Sequence, residues 1–137
     1  MTMSRTRVIG AQLYKFNVEG FLQWGYNFWY SMLSTQKVNP YLTPSGGFFT
    51  FDGDTCGVYP GPNGMPIESM HMRAFTQALT DLRAMQLCEA LCGREAVLEA
   101  IDGGLESPIT FTSYPYDEHY AQRVRERVNA TIAAALA

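Results

Sequence analysis

The chain has 137 residues, of which 47% are hydrophobic and 17% are charged, and its formal net charge is −3 at neutral pH. This length and apolar content are typical of one folded domain with its own core, and they exclude an intrinsically disordered chain. Lys15 and Lys37 are the only lysines. The acidic balance therefore excludes the basic face that nucleic-acid binding requires.

Targeting signals and cysteines indicate the compartment. No apolar run reaches the length of a transmembrane helix, and Met1–Arg7 lacks the apolar segment of a signal peptide. Cys56, Cys88 and Cys92 are an odd number and form no disulfide framework, which suits a reducing compartment. The sequence therefore predicts a cytoplasmic protein that makes no contact with a membrane.

The first predicted helix runs from Ser4 to about Phe16. Ser4 is a suitable N-cap, and Asn17 and Gly20 suit the left-handed residue that ends many helices. The apolar stripe of this helix consists of Val8, Ile9, Leu13 and Phe16. The spacing of these residues predicts an amphipathic helix with one side against the core.

The segment Phe21–Asn27 predicts a strand with both faces covered, because it contains no charged residue. Eight of the 17 residues from Tyr14 to Tyr30 are aromatic, and they alternate with amides and glycines. Two interpretations stay open. The aromatic residues form a buried strand, or they form a surface on which sugar rings stack while amides bind the hydroxyls.

A long loop covers residues 31–66, in which five prolines and six glycines argue against regular structure. Gly47–Phe51 and Thr55–Tyr59 are predicted as short extended pieces. Tyr59–Gly64 is a run of turn-forming residues. A loop of this length in a compact domain usually has a function.

Three helices are predicted after the loop. The longest, Ser69–Cys92, ends at Gly93, and Arg94–Asp102 follows it with Val97, Leu98 and Ile101 inward. Ile109–Ser113 is predicted as extended, and Asp117 caps a last helix that reaches about Leu136. The predicted apolar face of this last helix consists of Tyr120, Val124, Val128 and Ile132. The predicted core face of the longest helix consists of Met72, Phe75, Leu79, Leu82, Leu87, Cys88 and Leu91.

We therefore predict a single domain over residues 1–137, mainly α with few short strands (α+β). Residues 1–30 form a helix and a strand, residues 31–66 the long loop, and residues 67–137 the helices. One apolar strand cannot form a sheet, because both of its edges need a partner. The chain is therefore expected either to belong to a larger fold or to pair with a second copy as a homodimer.

Several strings occur in a characteristic order along the chain: Arg5–Gly10, Glu19–Trp29, Gly53–Asp54 followed by Val58–Gly61, Glu68–Ser69, Asp81–Ala84 and Gly93–Glu95. In this order they resemble the carboxy-terminal part of glycoside hydrolase family 123 and domain of unknown function 4091 proteins. The resemblance implies a (β/α)8 barrel in which Ser4–Phe16 is the seventh helix and Phe21–Asn27 the eighth strand. The long loop would then lie on the catalytic face.

The resemblance also implies a chemistry, namely hydrolysis of N-acetyl-β-galactosaminides with the substrate's acetamido group as nucleophile. Such enzymes use an adjacent Asp-Glu pair, which in this family lies on a strand in the middle of the barrel. The pair Asp117-Glu118 stands at a predicted helix start, so no catalytic role is assigned to it. We expect no catalytic residue and no cofactor in this chain, and no activity from the chain alone.

Two positions depart from the family's usual strings. His71 stands where the family usually has Arg, which weakens any contact with an anion that the Arg would make. Ala78 stands where the family usually has Gly, which stiffens the helix and tightens its packing.

The candidate sugar-binding residues are Trp24, Tyr26 and Asn27 at the end of the predicted strand, with Asp54 and Tyr59 in the loop. For the aromatic segment, including Trp29, packing inside the fold is the alternative interpretation, and for Asp54 the alternative is a turn with solvated carboxylates. Asp52-Gly53-Asp54 lacks the further ligands of a calcium loop and is interpreted as a turn. Cys88 and Cys92, with His71 earlier on the same helix, lack the four clustered ligands of a zinc site and are interpreted as core residues. No metal site is predicted.

Three functions follow from these patterns. The first is a carboxy-terminal segment of a glycoside hydrolase-like barrel that is not catalytic alone. The second is a small carbohydrate-binding module that exposes Trp24, Tyr26 and Trp29. The third is a self-associating structural domain without a ligand, which would bury those aromatic residues against a second chain.

Overall fold

The computed structural model describes residues 3–137, apart from the side chain of Ser4. Within that part it contains four α-helices, which are α1 (Met3–Lys15), α2 (Met70–Cys92), α3 (Arg94–Asp102) and α4 (Tyr120–Leu136). Two short strands, β1 (Val58–Pro60) and β2 (Pro66–Glu68), form an antiparallel sheet. The predicted class, mainly α with few short strands, is confirmed.

The chain divides into two compact units. The helical unit consists of the residues up to Gly20 together with Ala74–Ala137, and the loop unit consists of Phe21–Arg73. The organisation as a single domain stays a prediction. None of the helices among residues 3–137 has the length and apolar character needed to cross a membrane.

The ends of the helices follow the local sequence signals. Asn17 has φ 51°, the left-handed conformation expected just after α1, and α3 has the predicted bounds, with Gly93 at φ 84° before it. The predicted cap of Ser4 falls on a side chain outside the described residues. The predicted cap of α4 by Asp117 is an exception and is wrong, because α4 begins at Tyr120 and its N-cap residue is His119, with no side-chain cap hydrogen bond. The Asp117 carboxylate accepts hydrogen bonds from the backbone N–H of His119 and from Arg123.

The core of the helical unit lies between α1, α2, α3 and α4. Its fully buried members include Val97 and Ile101 of α3 and Tyr120, Val124 and Val128 of α4, as the predicted stripes require. The Tyr120 hydroxyl donates a hydrogen bond of 3.0 Å to the carbonyl oxygen of Ile101, so the last turn of α3 is tied to the first turn of α4. The periodicity of these two helices therefore predicted their buried faces correctly.

The predicted core face of α2 is correct for Cys88, which is buried, and for Leu82, which packs against the core, but it is wrong for three leucines. The buried residues of α2 are Ala74, Ala78, Asp81, Met85 and Cys88, whereas Leu79, Leu87 and Leu91 are exposed. The physical reason is the close approach of α1: Gly10 lies against the Ala78 backbone, so only a small side chain fits at this crossing point. Bulky leucines therefore point away from it.

Asp81 is a buried carboxylate that binds two arginines. Arg7 donates to it through Nε at 2.7 Å and Nη2 at 3.2 Å, and Arg125 donates through Nη1 at 3.1 Å. Asp81 is 4% exposed, so its charge is compensated almost entirely by these two side chains. This bridge links α1, α2 and α4, because its three members come one from each helix.

The segment Phe21–Asn27 does not form the predicted strand. The segment holds one isolated bridge, from Asn27 to Cys56, and its backbone pairs with the returning loop through Val58 N–H to Tyr26 O at 2.9 Å. Phe21, Trp24 and Tyr26 are about half exposed, so the expectation that both faces are covered is wrong. The pairing extends no further because the returning segment continues into β1, which pairs with β2.

The long loop contains a hairpin. β1 overlaps the predicted extended piece Thr55–Tyr59, and Tyr59 stands opposite Ile67 in β2. The turn between the strands passes through Asn63 at φ 55° and Gly64 at φ 76°, as the run of turn formers predicts. Gly47–Phe51 is not extended and forms turns, with Phe48 at φ 69°.

Candidate functional site

Trp24 has a fixed orientation on the surface of the loop unit. Its indole N–H donates to Oδ2 of Asp54 at 3.2 Å, and the Thr50 hydroxyl donates to the same oxygen at 2.8 Å. The Gln23 amide donates to the Asp54 carbonyl oxygen at 3.3 Å. Trp24 is nevertheless 49% exposed, so one part of its ring is held and another part faces solvent.

Other aromatic rings support Trp24 from within the loop unit. The Trp24 ring centroid lies 5.6 Å from that of Phe28 and 6.0 Å from that of Phe49. Phe28 and Phe49 meet edge to face at 6.0 Å, a favourable arrangement for aromatic pairs. The two interpretations of the aromatic segment therefore apply to different residues: Phe28 packs inside, whereas Trp24 lies at the surface.

Gly25 permits the contact between the Trp24 segment and the Asp54 loop. A β-carbon on Gly25 would lie 2.2 Å from the carbonyl oxygen of Asp54, a distance that no side chain tolerates. The two backbones are thus in direct contact, and Gly57 N–H donates to Gly25 O at 3.0 Å beside them. The glycine is needed here for close approach and not for an unusual backbone conformation.

Tyr26 and Asn27, the two predicted residues that follow, also lie at the surface. Tyr26 is 52% exposed. A β-carbon on Gly57 would lie 3.2 Å from Cδ2 of the Tyr26 ring. Asn27 is exposed, and its backbone forms the bridge to Cys56. Trp24, Tyr26 and Asn27 therefore present one aromatic face, one tyrosine and one amide to solvent within four residues of chain.

Tyr59 is half-buried beside the Asp54 loop. Its ring packs against Tyr41 with centroids 5.2 Å apart, and Tyr41 is held by its own hydroxyl, which donates to Pro60 O at 2.9 Å. Burial raises the pKa of Tyr59, with smaller contributions from Cys56, Tyr41 and Asp52. Tyr59 is therefore a neutral hydroxyl that can donate or accept a hydrogen bond.

Gly53 lies beside both Tyr59 and His71, and sequence reasoning did not select His71 for the site. A β-carbon on Gly53 would lie 3.8 Å from the Tyr59 hydroxyl and 3.7 Å from Nε2 of His71. His71 lies in the first turn of α2 and is half-buried. The signal in the sequence was the departure from the family's usual Arg at this position, which was interpreted as weakening a contact with an anion.

Trp29 is held inside the loop unit. Its indole N–H donates to Val58 O at 3.1 Å, and the side chain is half-buried. It lines a groove with a volume of ≈ 480 Å³. The other lining residues are Tyr30, Lys37, Val38, Asn39, Pro40, Tyr41 and Pro60. Trp29 therefore packs within the fold, one of the two roles that the sequence left open for it.

Among the described residues, the cysteines and acidic side chains form no cluster that could bind a metal ion. Cys56 and Cys88 are buried and Cys92 is half-buried, all as free thiols, and burial raises the pKa of Cys88. Across residues 3–137, no three His, Cys, Asp or Glu side chains come close enough to hold a metal ion.

A comparison with family models gives one match, to the glycoside hydrolase 123 catalytic domain, over residues 1–88. A search of curated proteins found no match. The matched range is 88 of 137 residues, more than half of the chain. It includes the whole loop unit and all five candidate residues, from Trp24 to Tyr59. The chain therefore belongs to the glycoside hydrolase 123 catalytic-domain family.

Proposed function

We propose that the loop unit is a carbohydrate-contacting surface of a glycoside hydrolase 123 catalytic domain, and that this chain does not hydrolyse glycosides alone. The observation that carries the proposal is the geometry of Trp24. Its indole N–H is fixed by Asp54 while half of the side chain stays in solvent. A preoriented, exposed indole is a suitable platform for the C–H face of a sugar ring.

Asp54 supplies the polar part of this surface. Trp24 and Thr50 both donate to Oδ2, and among the described residues no hydrogen bond reaches Oδ1. A carboxylate oxygen held in place with a free lone pair is a strong acceptor for a sugar hydroxyl. The exposed amide of Asn27 and the hydroxyl of Tyr26 add donors beside it. The combination matches an N-acetylhexosamine, which is uncharged and offers one apolar face, several hydroxyl groups and one amide.

The family's chemistry is the reason that we expect no hydrolysis by this chain. The resemblance implies an Asp-Glu pair on a strand in the middle of the barrel, one residue orienting the acetamido group and the other acting as general acid. In this chain Asp117-Glu118 lies just before α4, where Asp117 pairs with Arg123. We therefore place the catalytic acid of a working enzyme outside this chain, as part of a barrel that this chain completes.

The test is a titration of the purified chain with N-acetylgalactosamine, followed by NMR of the backbone amides. We expect weak, saturable binding, with shifts in the amides of residues 23–27 and 53–54, and loss of binding in Trp24→Ala. Tyr116→Ala is the matched control, because Tyr116 is an exposed aromatic of the helical unit. Equal binding by both variants would contradict the proposal.

An aryl N-acetylgalactosaminide assay tests the second half of the proposal. We expect no turnover above the buffer rate. Turnover that survives purification and disappears when a residue of this chain is replaced would show that the catalytic acid is present here.

A separate observation favours self-association. Five large apolar side chains of the loop unit are at least 80% exposed: Leu22, Leu33, Leu42, Phe48 and Phe51. Covering exposed apolar side chains against a second copy would remove them from water, and a two-fold dimer is the simplest closed arrangement. Light scattering after size exclusion at micromolar concentration should give about twice the chain mass of 15.3 kDa. A single species at the chain mass would rule out the dimer.

A further inference from the structure

The groove that Trp29 lines, which we call the Trp29 groove, is rich in rings. Its volume of ≈ 480 Å³ lies within the range of about 300–1,000 Å³ that small-molecule pockets occupy. The residues that supply rings are Trp29, Tyr30, Pro40, Tyr41 and Pro60. Every lining residue belongs to the loop unit, so the groove is formed within one compact unit.

Two of these rings are held in place by hydrogen bonds. The Trp29 indole N–H donates to Val58 O at 3.1 Å. The Tyr41 hydroxyl donates to Pro60 O at 2.9 Å, and the Tyr41 ring packs on Tyr59 with centroids 5.2 Å apart. Tyr41 is nevertheless 55% exposed. Rings that are oriented in advance lose little entropy on binding, and they favour a ligand with a flat ring of its own.

The polar side chains of the groove offer mainly hydrogen-bond donors. Lys37 lines it, and within residues 3–137 its ammonium group makes no ion pair or hydrogen bond. Asn39 Oδ1 already accepts the backbone N–H of Tyr41 at 3.0 Å, which leaves the two N–H donors of the Asn39 amide. None of the described lining residues is acidic. This set favours an anion, because a carboxylate accepts hydrogen bonds from ammonium and amide groups.

The same set of donors disfavours a sugar. Each sugar hydroxyl has a hydrogen that needs an acceptor. Asn39 Oδ1 and Pro60 O both accept hydrogen bonds from Tyr41, which makes these two oxygens less available to a ligand. The surface around Trp24 is different, because there the Asp54 carboxylate is an acceptor. The two places in the loop unit therefore suit different classes of ligand.

We infer that the Trp29 groove is a binding site for an aromatic carboxylate. The carboxylate accepts hydrogen bonds from Lys37 and Asn39. The aromatic ring packs against Trp29 and Tyr41. The ligand is not a sugar, and the site takes no residue from the proposed sugar-contacting surface, so the inference goes beyond the proposed function and does not rest on it.

The direct test is an NMR titration of the purified chain with benzoate as the probe. The backbone amides of Lys37, Val38, Asn39 and Tyr41 should shift along one saturation curve, while those of residues 23–27 should stay constant. Benzamide has the same ring without the charge and should bind at least about threefold more weakly, as expected for the loss of one exposed ion pair. Galacturonate, which carries its carboxylate on a sugar ring, should also bind more weakly than benzoate.

Variants then measure each contact. Lys37→Gln removes the ammonium group and should weaken benzoate binding about threefold, whereas Lys37→Arg keeps the positive charge and should bind as the parent chain does. Arg83→Gln is the matched control, because it removes one exposed positive charge from the helical unit. Tyr41→Ala removes one ring of the groove and should weaken binding about fivefold. Tyr116→Ala, which removes an exposed ring of the helical unit, should have no effect.

The outcomes are independent of the test for sugar binding. If benzamide binds as tightly as benzoate, or if Lys37→Gln binds as tightly as Arg83→Gln, the groove does not select an anion and the inference is wrong. Tighter binding of galacturonate than of benzoate would overturn the aromatic ligand in favour of an acidic sugar. If benzoate causes no saturable shifts in residues 37–41, the site does not exist, whatever N-acetylgalactosamine does at Trp24.

Discussion

Gly10 of α1 lies directly against Ala78 of α2. A β-carbon on Gly10 would lie 2.3 Å from the Ala78 carbonyl oxygen and 3.2 Å from its Cα, and Ala78 is completely buried. The two helices therefore approach each other at the smallest residues that the sequence provides. This contact decides which face of α2 points inward.

The first prediction concerns this contact. In an isolated helix, Gly10→Ala would stabilise by about 1 kcal/mol through helix propensity. Here the added methyl meets backbone atoms, so α1 and α2 must move apart, and we expect a net loss of about 1–3 kcal/mol in urea unfolding. Gly20→Ala is the control, because no atom lies within 4 Å of a β-carbon at that position. A more stable Gly10→Ala variant would show that the helices are not in contact.

The second prediction concerns the two faces of α2. Met85 is 2% exposed and Leu79 is 51% exposed. Met85→Ala should cost about 2–5 kcal/mol, the range for buried methionine and leucine truncations, whereas Leu79→Ala should cost less than about 1 kcal/mol. The sequence-based expectation placed Leu79 on the core face. Denaturant unfolding of the two variants distinguishes the two orientations of the helix.

The third prediction concerns the buried carboxylate. Asp81→Asn removes the charge that compensates Arg7 and Arg125 while keeping the shape of the side chain. We expect a loss of about 3 kcal/mol, near the lower end for breaking a buried ion pair, because the arginines are 22% and 29% exposed.

The control for that variant is Glu68→Gln. It breaks the exposed pair with Arg73 and should change the free energy of unfolding by less than about 0.5 kcal/mol. If the two variants were equally stable, Asp81 would have to be solvated.

The fourth prediction is a pH dependence at the start of α4. The pKa of Asp117 is lowered from its ordinary value of 3.8, first by the backbone N–H of His119 and then by Arg123. Because the folded pKa lies below the unfolded one, this carboxylate stabilises the fold above the unfolded value, and the contribution is lost as the pH falls through the folded value.

The difference in urea midpoint between the parent chain and Asp117→Asn should therefore be largest near neutral pH and should shrink as the pH falls below about 4. Glu118→Gln, an exposed neighbour, serves as the control and should show a smaller pH dependence. A constant difference between the parent chain and Asp117→Asn over this range would show that Asp117 titrates normally in the folded chain.

The sequence by itself determined the features that depend on neighbouring residues. The bounds of α3 follow from Gly93 and Gly103, the end of α1 from the left-handed Asn17, and the hairpin turn from the proline and glycine run. The stripe of α4 was predictable because Tyr120, Val124 and Val128 are bulky and their neighbours are polar or small. The sequence strings that resemble glycoside hydrolase family 123 could also be recognised without a structure, and the family-model match over residues 1–88 confirms that resemblance.

Only the tertiary structure decided the features that depend on distant residues. α2 carries apolar residues on more than one side, and close approach of Gly10 to Ala78, 68 positions later in the chain, selects the small face. Phe21–Asn27 has the composition of a buried strand, yet its one partner is the short segment around Cys56, which leaves Trp24 half exposed. The link from Trp24 to Asp54 joins residues 30 positions apart. His71 and Tyr59 both lie beside Gly53. Periodicity and composition cannot predict this proximity, because they indicate which environment a side chain suits and not which distant residues supply it.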